Sequence, residues 1–354
     1  MYEVQKVIDQ LKVNHRLDAQ QYRQLLLDND AQSCRLLRSE AKDAALSVFG
    51  NKIFIRGLIE ISNHCRNNCL YCGIRSGNAK LRRYRLGKEQ ILGCCAKGYN
   101  LGFRTFVLQG GEDPLQNDDW LLDLVRCIKS AYPDCAVTLS LGEKSQETYR
   151  KLKAAGADRY LLRHETFDSE HYARLHPAGM SGLSRRNCLS VLKGLGYQTG
   201  SGIMVGSPYQ TVDNLVEDLL YIQELRPEMV GIGPFIHHKD TPFKDMPDGS
   251  VEMTAKLISI FRLMNPKSLI PATTALSTLD PEGRKKGILA GANVVMPNLS
   301  PESVREDYSL YEGKAHAGAE AAEGLEELRK ELQSIGYDIV TDRGDYDCSP
   351  TSYN

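Results

Sequence analysis

Residues 54–72, FIRGLIEISNHCRNNCLYC, combine a predicted strand with the cysteine-rich loop that follows it. Residues 54–62 are mostly apolar, with several β-branched side chains, which is typical of a buried strand. Cys65, Cys69 and Cys72 follow in C-x3-C-x2-C spacing. In α/β barrels, active-site loops begin where the strands end, so this stretch predicts both a strand and the position of a site.

Seven further apolar runs follow the first one along the chain, and amphipathic stretches of helical periodicity separate them. The eight predicted strands cover residues 54–62, 105–112, 136–142, 159–165, 198–206, 229–236, 268–274 and 292–298. A spacing of about 30 residues per unit is typical of repeated βα units in a barrel. The pattern predicts an α/β fold, a (β/α)8 TIM-type barrel, with an open doubly wound sheet as the alternative.

Helical patterns flank the predicted barrel on both sides. We predict an N-terminal helical extension over residues 1–48, the barrel over 49–307, and a C-terminal helical tail over 308–354 that packs on the barrel. The tail contains a predicted helix over about residues 315–334 and a short apolar run over 337–340.

The composition of the 354-residue chain excludes disorder and fibre, since 42% of the residues are hydrophobic and 25% are charged. A net charge of -1 provides no overall field for nucleic acid or an anionic membrane. No apolar run approaches the roughly 18 residues that span a bilayer. We expect a cytoplasmic protein with reduced thiols. A local basic stretch is predicted to be a solvated loop or a contact for an anionic partner: Arg75, Lys80, Arg82, Arg83 and Arg85.

Three thiolates on one short loop are suited to a metal centre. A structural zinc site needs four ligands, so His64 or a distant residue would have to complete it. A 4Fe-4S cluster held by three cysteines would instead keep one iron open for a substrate or cofactor. The other seven cysteines show no ligand spacing and are predicted to be core or surface residues: Cys34, Cys94, Cys95, Cys127, Cys135, Cys188 and Cys348.

Strand alternation predicts which side chains face the interior. In the fourth predicted strand, Leu161, Arg163 and Glu165 share one face, where the two charges either face a ligand or form a structural ion pair. Hydroxyl groups occur at Thr138 and Ser140 and at Thr273 and Thr274, although threonine is also common in strands for propensity reasons.

Glycines on the fifth and sixth predicted strands offer a further indication of an internal cavity. Gly200, Gly202 and Gly206 share a face with Met204, and Gly231 shares one with Gly233. If these faces point inward, the missing side chains leave space for a ligand. Alternatively, the glycines mark bulges or close packing, and Met204 is an ordinary core residue.

The cysteine motif, with Tyr71 before its last cysteine and Gly110, Gly111 and Glu112 after the second predicted strand, resembles the radical S-adenosylmethionine (SAM) superfamily. Over residues 50–315, the chain is similar to the HydE family of FeFe-hydrogenase maturases within that superfamily. The resemblance is carried by the segments IEISNHCRNNCLYCGIR, RYRL, TFVLQGGEDP, VTLSLGE, DRYLLRHET, MVGIGPF, IPATTA and GANVVMPN.

The resemblance implies that the three cysteines hold one 4Fe-4S cluster whose open iron binds SAM and cleaves it to a 5'-deoxyadenosyl radical. The implied SAM contacts are Tyr71, Gly110, Gly111, Glu112, Ser140, Glu165, Arg185 and Met204, with Arg186 as the alternative to Arg185. The implied substrate pocket contains Gln109, Thr138, Arg163, Met229, Thr273, Thr274, Tyr308 and Tyr311.

By the same resemblance, the expected activity is maturation of the two-iron subcluster of an FeFe-hydrogenase, on a cysteine-ligated iron carbonyl cyanide precursor. Expected partners are this small organometallic or an amino-acid-derived substrate, other maturation proteins, and an electron donor such as a ferredoxin or flavodoxin. Some family members carry further cysteines for a second cluster, but after residue 188 this chain has only Cys348, so we predict one cluster. The alternatives are another enzyme of the biotin synthase and methylornithine synthase group, or a non-enzymatic cluster carrier.

Overall fold

A computed structural model of the protein describes residues 2–347. The helices of the described chain are α1 Tyr2–Asn14, α2 Ala19–Leu27, α3 Ala31–Phe49, α4 Lys88–Asn100, α5 Asp118–Ala131, α6 Gln146–Ala154, α7 Ser169–Leu175, α8 Gly182–Gly194, α9 Val212–Leu225, α10 Val251–Met264, α11 Thr274–Leu279, α12 Gly283–Leu289, α13 Glu302–Arg305 and α14 Leu325–Gln333. The strands are β1 Lys52–Ile55, β2 Gly57–Ser62, β3 Thr105–Gly110, β4 Ala136–Ser140, β5 Arg159–Leu161, β6 Gln198–Ser201, β7 Met204–Val205, β8 Met229–Val230, β9 Gly233–Pro234, β10 Val294–Val295 and β11 Asp338–Val340.

The strands form a closed parallel barrel. Six of them are hydrogen-bonded in the order β2-β3-β4-β5-β6-β8, and β10 pairs with β1, which continues into β2. Single bridges complete the ring, from Met229 to Leu269, from Pro271 to Val294 and from Leu58 to Asn298. Because the first and last strand positions meet, the prediction of a (β/α)8 barrel is confirmed and the open doubly wound sheet is excluded.

The predicted strands lie where expected, but several end earlier or are divided. The first is interrupted at Arg56, and the fifth and sixth each form two short strands. The seventh prediction, residues 268–274, is wrong as a continuous strand, since only Leu269 and Pro271 make bridges. The third and fourth predicted strands end early, because the backbone turns before their predicted carboxyl ends. Gly142 and Glu165 there have φ values of 72° and 67°, which a strand does not contain.

The helices begin and end as their sequences favour. Thr211 caps α9 in a capping box with Asn214, as the pattern before Val212 predicts. The N-terminal extension is helical, with α1, α2 and α3 packed on α9 and α10. The division of the chain into domains at residues 48 and 307 stays a prediction.

The C-terminal tail differs from the predicted long helix. Short 3-10 helices cover only Gly318–Glu320 and Ala322–Gly324, and α14 begins only at Leu325. Gly318 has a positive φ of 58°, a conformation that an α-helix cannot contain. The apolar run at residues 337–340 contains β11, which pairs in parallel with β1. Over residues 2–347, no helix combines the length and apolar character needed to cross a membrane.

Beyond β11, the tail closes the amino end of the barrel. The fully buried guanidinium of Arg159, the first residue of β5, donates to the carbonyls of Arg343 and Gly344 and to Asp345 at 2.7 Å. Burial alone would raise the pKa of Asp345, but hydrogen bonds and charges from Arg343 and Arg159 hold it well below its usual range. The carboxylate therefore stabilises the folded state in its ionised form.

We expect Asp345→Asn to lower the free energy of unfolding by about 1–2 kcal/mol at pH 7, because it weakens a charge-assisted bond that is partly screened by solvent. The depressed pKa makes this contribution complete above about pH 4 and lost as pH falls further, so variant and wild type converge in acid. Urea unfolding between pH 7 and pH 3 measures it. The exposed control Asp245→Asn should match wild type throughout, and an unchanged stability for Asp345→Asn at pH 7 would contradict the assignment.

Candidate active site

The cysteine loop leaves β2 at the carboxyl end of the barrel and is fixed to three separate parts of the chain. The backbone N–H of Arg66 donates to the carbonyl of Glu112 at 3.0 Å, after β3. Leu70 donates to Leu175 at the end of α7, and Gly73 donates to Leu310 in the tail. The loop is therefore held over the barrel opening by the barrel itself and by the tail.

The three thiols of the loop are partly buried and influence one another. Burial raises the pKa of Cys69 to about 12, and the charge of Cys65 adds to the rise. Burial also raises the pKa of Cys72, followed by the charges of Cys69 and Cys65. Thiolates bind metals, so ionising these three neighbouring thiols is unfavourable until a cation joins them, which fits an iron-sulfur cluster.

A single metal ion fits this arrangement less well. In the part of the chain described, no three His, Cys, Asp or Glu side chains are gathered closely enough to hold one ion. The ligands of a 4Fe-4S cluster are spaced by the cluster itself, and three of them leave one iron open.

Gly111 allows the cysteine loop to approach β3. A Cβ atom at this position would collide with the carbonyl oxygen of His64 and lie 2.7 Å from Cβ of Cys65. At Gly110 the contact is milder, 3.3 Å from the carbonyl oxygen of Ser62. The glycine pair thus positions the first cysteine relative to Glu112.

Glu112 lies at the centre of a charged network beside the loop. Its carboxylate accepts hydrogen bonds from Nε and Nη2 of Arg66, at 3.0 and 2.9 Å, and from the backbone of Glu143 at 3.1 Å. Nη2 of Arg185 is 3.8 Å from Glu112, and Nε of Arg185 is 3.3 Å from Glu143. Carboxylates and a guanidinium thus lie together in one small region. Such a set of charges can bind both the amino group and the carboxylate of a zwitterionic amino acid.

The structure separates the two adjacent arginines of α8. Arg185 is largely buried, faces Glu112 and Glu143, and donates to the carbonyl of Arg163. Arg186 faces the other way, over the ring of Phe167, and donates to its carbonyl. Arg185 is thus the arginine that lies beside the cysteine loop and the carboxylates.

Arg163 and Glu165 form an ion pair at 2.8 Å after β5. The strand ends at Leu161, so the predicted alternation through residue 165 is wrong, and the left-handed backbone of Glu165 orients its side chain instead. Nε of Arg163 is buried without a hydrogen-bond partner among residues 2–347. The two side chains therefore bind each other, and Nε of Arg163 is left as a hydrogen-bond donor for a further group.

Met204 and Tyr71 lie in one apolar cluster near the loop, together with Leu70, Leu175, Phe235, Phe243 and Met246. Burial lowers the pKa of His176 to about 4, so its ring is neutral at neutral pH. Nδ1 of this ring must donate to the carbonyl of Tyr172, which leaves Nε2 to accept from the Tyr71 hydroxyl at 3.2 Å. These two hydrogen bonds fix the orientation of the Tyr71 ring, next to Cys72 in the loop.

The residues predicted for the substrate pocket do not all converge. Ser140 and Gln109 are neighbours in register at the ends of β4 and β3, and Tyr308 is buried. Thr138 is buried on β4, with a hydroxyl that is unpartnered within the described residues. Met229 accepts from Arg56 through its sulfur.

The remaining pocket residues contact the tail and α11. Thr273 precedes α11 and contacts the carbonyl of Ile232, whereas Thr274 donates to Glu320 at 2.6 Å. Burial raises the pKa of Tyr311 well above its ordinary value. Thr274 is oriented toward the tail, where Glu320 accepts its hydrogen bond.

The glycine prediction needs correction. A Cβ at Gly200 would lie 2.6 Å from Leu161 and 3.0 Å from Met229, and one at Gly202 would strike the backbone of Gly231. Neighbouring atoms already occupy that space, so these glycines permit close packing rather than create a void. Only at Gly231 would the nearest atoms, from Leu161 and Arg163, lie at ordinary contact distances.

Several residues of the site escaped sequence analysis. Arg66 and Glu143 bind the predicted residues Glu112 and Arg185. Inside the barrel, the buried Glu60 binds Lys314 and accepts from Asn298. The sequence does indicate Glu60, because a charged residue between Ile59 and Ile61 in a buried strand needs a partner of opposite charge or a hydrogen-bond donor.

The chain is similar to several known proteins. A family model described as the radical SAM superfamily matches residues 59–222. The FeFe hydrogenase maturase subunit HydE of Thermotoga maritima is 49% identical over 265 residues, 75% of each chain. The 3-methylornithine synthase of Methanosarcina barkeri is 30% identical over 92% of this chain and 89% of its own. A crystal structure of methylornithine synthase superposes with a TM-score of 0.82 at 28% identity, covering 94% of this chain and 97% of the other.

The chain is a radical SAM enzyme that uses a 4Fe-4S cluster and SAM. Within that superfamily, it belongs to the HydE family of FeFe-hydrogenase maturases. When bound, the reduced cluster supplies the electron that cleaves SAM to a 5'-deoxyadenosyl radical. The chain's own residues have the tasks of binding, orientation and exclusion of water.

We expect Arg185→Ala to weaken SAM binding by about ten- to hundredfold, since it removes charge-assisted hydrogen bonds to the carboxylate that we assign to this guanidinium. Arg186→Ala, with its side chain over Phe167, is the matched control and should bind SAM as wild type does. Equilibrium binding to the reconstituted proteins, at equal iron content, measures both. Equal affinities for the two variants would refute the assignment of Arg185.

Proposed function

We propose that this enzyme matures the two-iron subcluster of an FeFe-hydrogenase and acts on a cysteine-ligated iron carbonyl cyanide precursor. The observation that carries the proposal is 49% identity to the maturase HydE over three quarters of the chain, combined with the cysteine loop at the barrel opening. The cytoplasm is the proposed location, where the nine described cysteines, all free, would stay reduced.

In the proposed site, Cys65, Cys69 and Cys72 hold the cluster. Glu112 and Arg185 bind the amino and carboxylate ends of SAM, because they lie beside the loop and carry the complementary charges. Tyr71 and Met204 provide an apolar surface for the adenine ring. Gly110, Gly111, Ser140 and Glu165 complete the SAM contacts.

The substrate is proposed to bind deeper in the barrel. Nε of Arg163 and Oγ1 of Thr138 are buried donors without partners in the described residues, and unmet donors favour a ligand that accepts hydrogen bonds. Carbonyl, cyanide and carboxylate groups all accept hydrogen bonds. We also assign Gln109, Tyr308, Met229, Thr273, Thr274 and Tyr311 to the pocket by similarity to the HydE family, with Thr274 bound to Glu320 of the tail.

Two kinds of protein partner are proposed: other hydrogenase maturation proteins that dock transiently, and a ferredoxin or flavodoxin that delivers the electron. Both follow from the reaction, since the product must reach the hydrogenase and the cluster must be reduced.

The second candidate is a methylornithine synthase, favoured by the nearly complete coverage of that structure and that relative. Product analysis separates the two. We would incubate the reconstituted, reduced enzyme and SAM with either the iron precursor or a mixture of the protein amino acids. The maturase proposal expects more 5'-deoxyadenosine with the precursor and no 3-methylornithine from the mixture. Formation of 3-methylornithine would support the second candidate and overturn the first.

A further inference from the structure

Arg83 donates to four backbone carbonyls, more than any other residue of the basic stretch, in which Arg75 donates to one. Lys80, Arg82 and Arg85 bind the carboxylates of Asp240, Asp307 and Asp113, and the side chains of Lys80 and Arg82 are 80% and 71% exposed, so this loop is both solvated and ion-paired. The half-buried guanidinium of Arg83 donates only to backbone carbonyls: Nη1 to Asn63 and Ile74 at 2.5 and 2.8 Å, and Nη2 to Arg75 and Asn78 at 2.5 and 3.1 Å.

These four carbonyls enclose the cysteine motif. Asn63 lies two residues before Cys65, and Ile74 lies two residues after Cys72, so Nη1 alone joins the two ends of the loop. A forked, planar guanidinium can serve several carbonyls at once, whereas the ammonium of lysine is a single point. Arg83 therefore holds the loop closed around its three thiols.

The charge of Arg83 lies at the two ends of the loop that carries those thiols. Its hydrogen-bond acceptors are neutral carbonyls, so no carboxylate in these four bonds offsets the positive charge. Nη1 is bonded two residues before Cys65 and two residues after Cys72, which places this positive charge beside the ligand loop. A fixed cation near a cluster favours the reduced form, which carries one more electron.

We propose that Arg83 is a positioning residue for the cluster, which locks the cysteine loop in its ligating shape and raises the reduction potential of the bound cluster. The proposal rests on the cluster that membership of the superfamily implies and not on the identity of the substrate. Its failure would leave the proposed maturase function unaffected.

The locking role is tested in the full-length protein before iron is added. Hydrogen exchange is followed by mass spectrometry over residues 66–76, whose amides include those of Arg66, Gly73 and Ser76 in loop-anchoring bonds. Both Arg83→Lys and Arg83→Gln should accelerate exchange, because neither side chain can serve four carbonyls. Arg82→Gln is the matched control, since its side chain is 71% exposed and binds Asp307, and exchange should match wild type. Unchanged exchange in Arg83→Gln overturns the locking role.

The charge is tested by redox titration of the reconstituted cluster without SAM, monitored by electron paramagnetic resonance. At the wild-type midpoint, Arg83→Gln should show about a tenfold lower ratio of reduced to oxidised cluster, a shift of about 59 mV for one electron. Arg83→Lys keeps the charge and should stay near wild type, as should Arg82→Gln. An Arg83→Gln potential equal to that of Arg82→Gln overturns the electrostatic role. If Arg83→Gln takes up no iron, Arg83→Lys decides: a wild-type potential supports the role, and a lowered one overturns it.

Discussion

Replacing Cys69 with alanine is expected to abolish cluster assembly and SAM cleavage together. The loop supplies three thiols, and the cluster needs all three if its fourth iron is to remain open for SAM. Two thiolates cannot hold the cluster in that form. Iron content per chain after anaerobic reconstitution and production of 5'-deoxyadenosine after reduction should both fall to background.

Cys127→Ala is the control for this prediction. Cys127 lies partly buried on α5, and its sulfur contacts only Asp123 among the hydrogen bonds described for residues 2–347. Its replacement should leave iron content and turnover at wild-type levels. Equal losses from the two variants would contradict the assignment of the three ligands.

Gly111→Ala is expected to have the second largest effect. The added methyl group would meet the carbonyl oxygen of His64 and Cβ of Cys65, and both belong to a loop that cannot retreat without losing its anchors. Such overpacking costs about 1–3 kcal/mol. We expect the displaced Cys65 to reduce cluster occupancy severely, measured as iron per chain, together with lower resistance to urea.

Gly93→Ala provides the comparison. Gly93 lies inside α4 with open space around its Cβ position, so alanine should stabilise the helix by about 0.5–1 kcal/mol and leave the cluster intact. If Gly111→Ala retains full iron content and stability, then the close approach of the loop to β3 is not required for cluster assembly.

Much of the fold was accessible from the sequence because βα repeats carry strong periodic signals. Apolar runs such as residues 105–112, where β3 covers Thr105–Gly110, and the capping pattern before α9 depend on local chemistry and were predicted correctly. The ends of strands depend on tertiary contacts. Glu165 leaves the strand conformation while its backbone bonds Gly202, which no local pattern indicates.

The site was predictable where chemistry is concentrated in short motifs. The cysteine loop, Gly111 and Glu112 are separated by about 40 residues in sequence, but barrel topology brings the ends of successive strands together. Arg66 and Glu143 were missed, and Arg83 was assigned only to a basic loop, because the roles of these residues depend on the partners they reach in space. A basic residue in a polar loop gives no indication that its partners are backbone carbonyls.

The glycines of the barrel strands show that a small residue does not by itself indicate a cavity. Gly200 and Gly202 were interpreted as openings, but the space beside them is filled by Leu161, Met229 and the backbone of Gly231. Whether a missing side chain leaves a void depends on the opposite strand, which the sequence does not identify. Cys348, which could have informed the number of clusters, lies outside the described residues.

The central claim is that this chain carries out radical SAM chemistry in hydrogenase maturation. The most direct measurement is hydrogen evolution by an FeFe-hydrogenase matured from purified components, with this chain added, omitted or replaced by Cys69→Ala. The account predicts an active hydrogenase only with the wild-type chain. Equal hydrogenase activity in all three mixtures would contradict it.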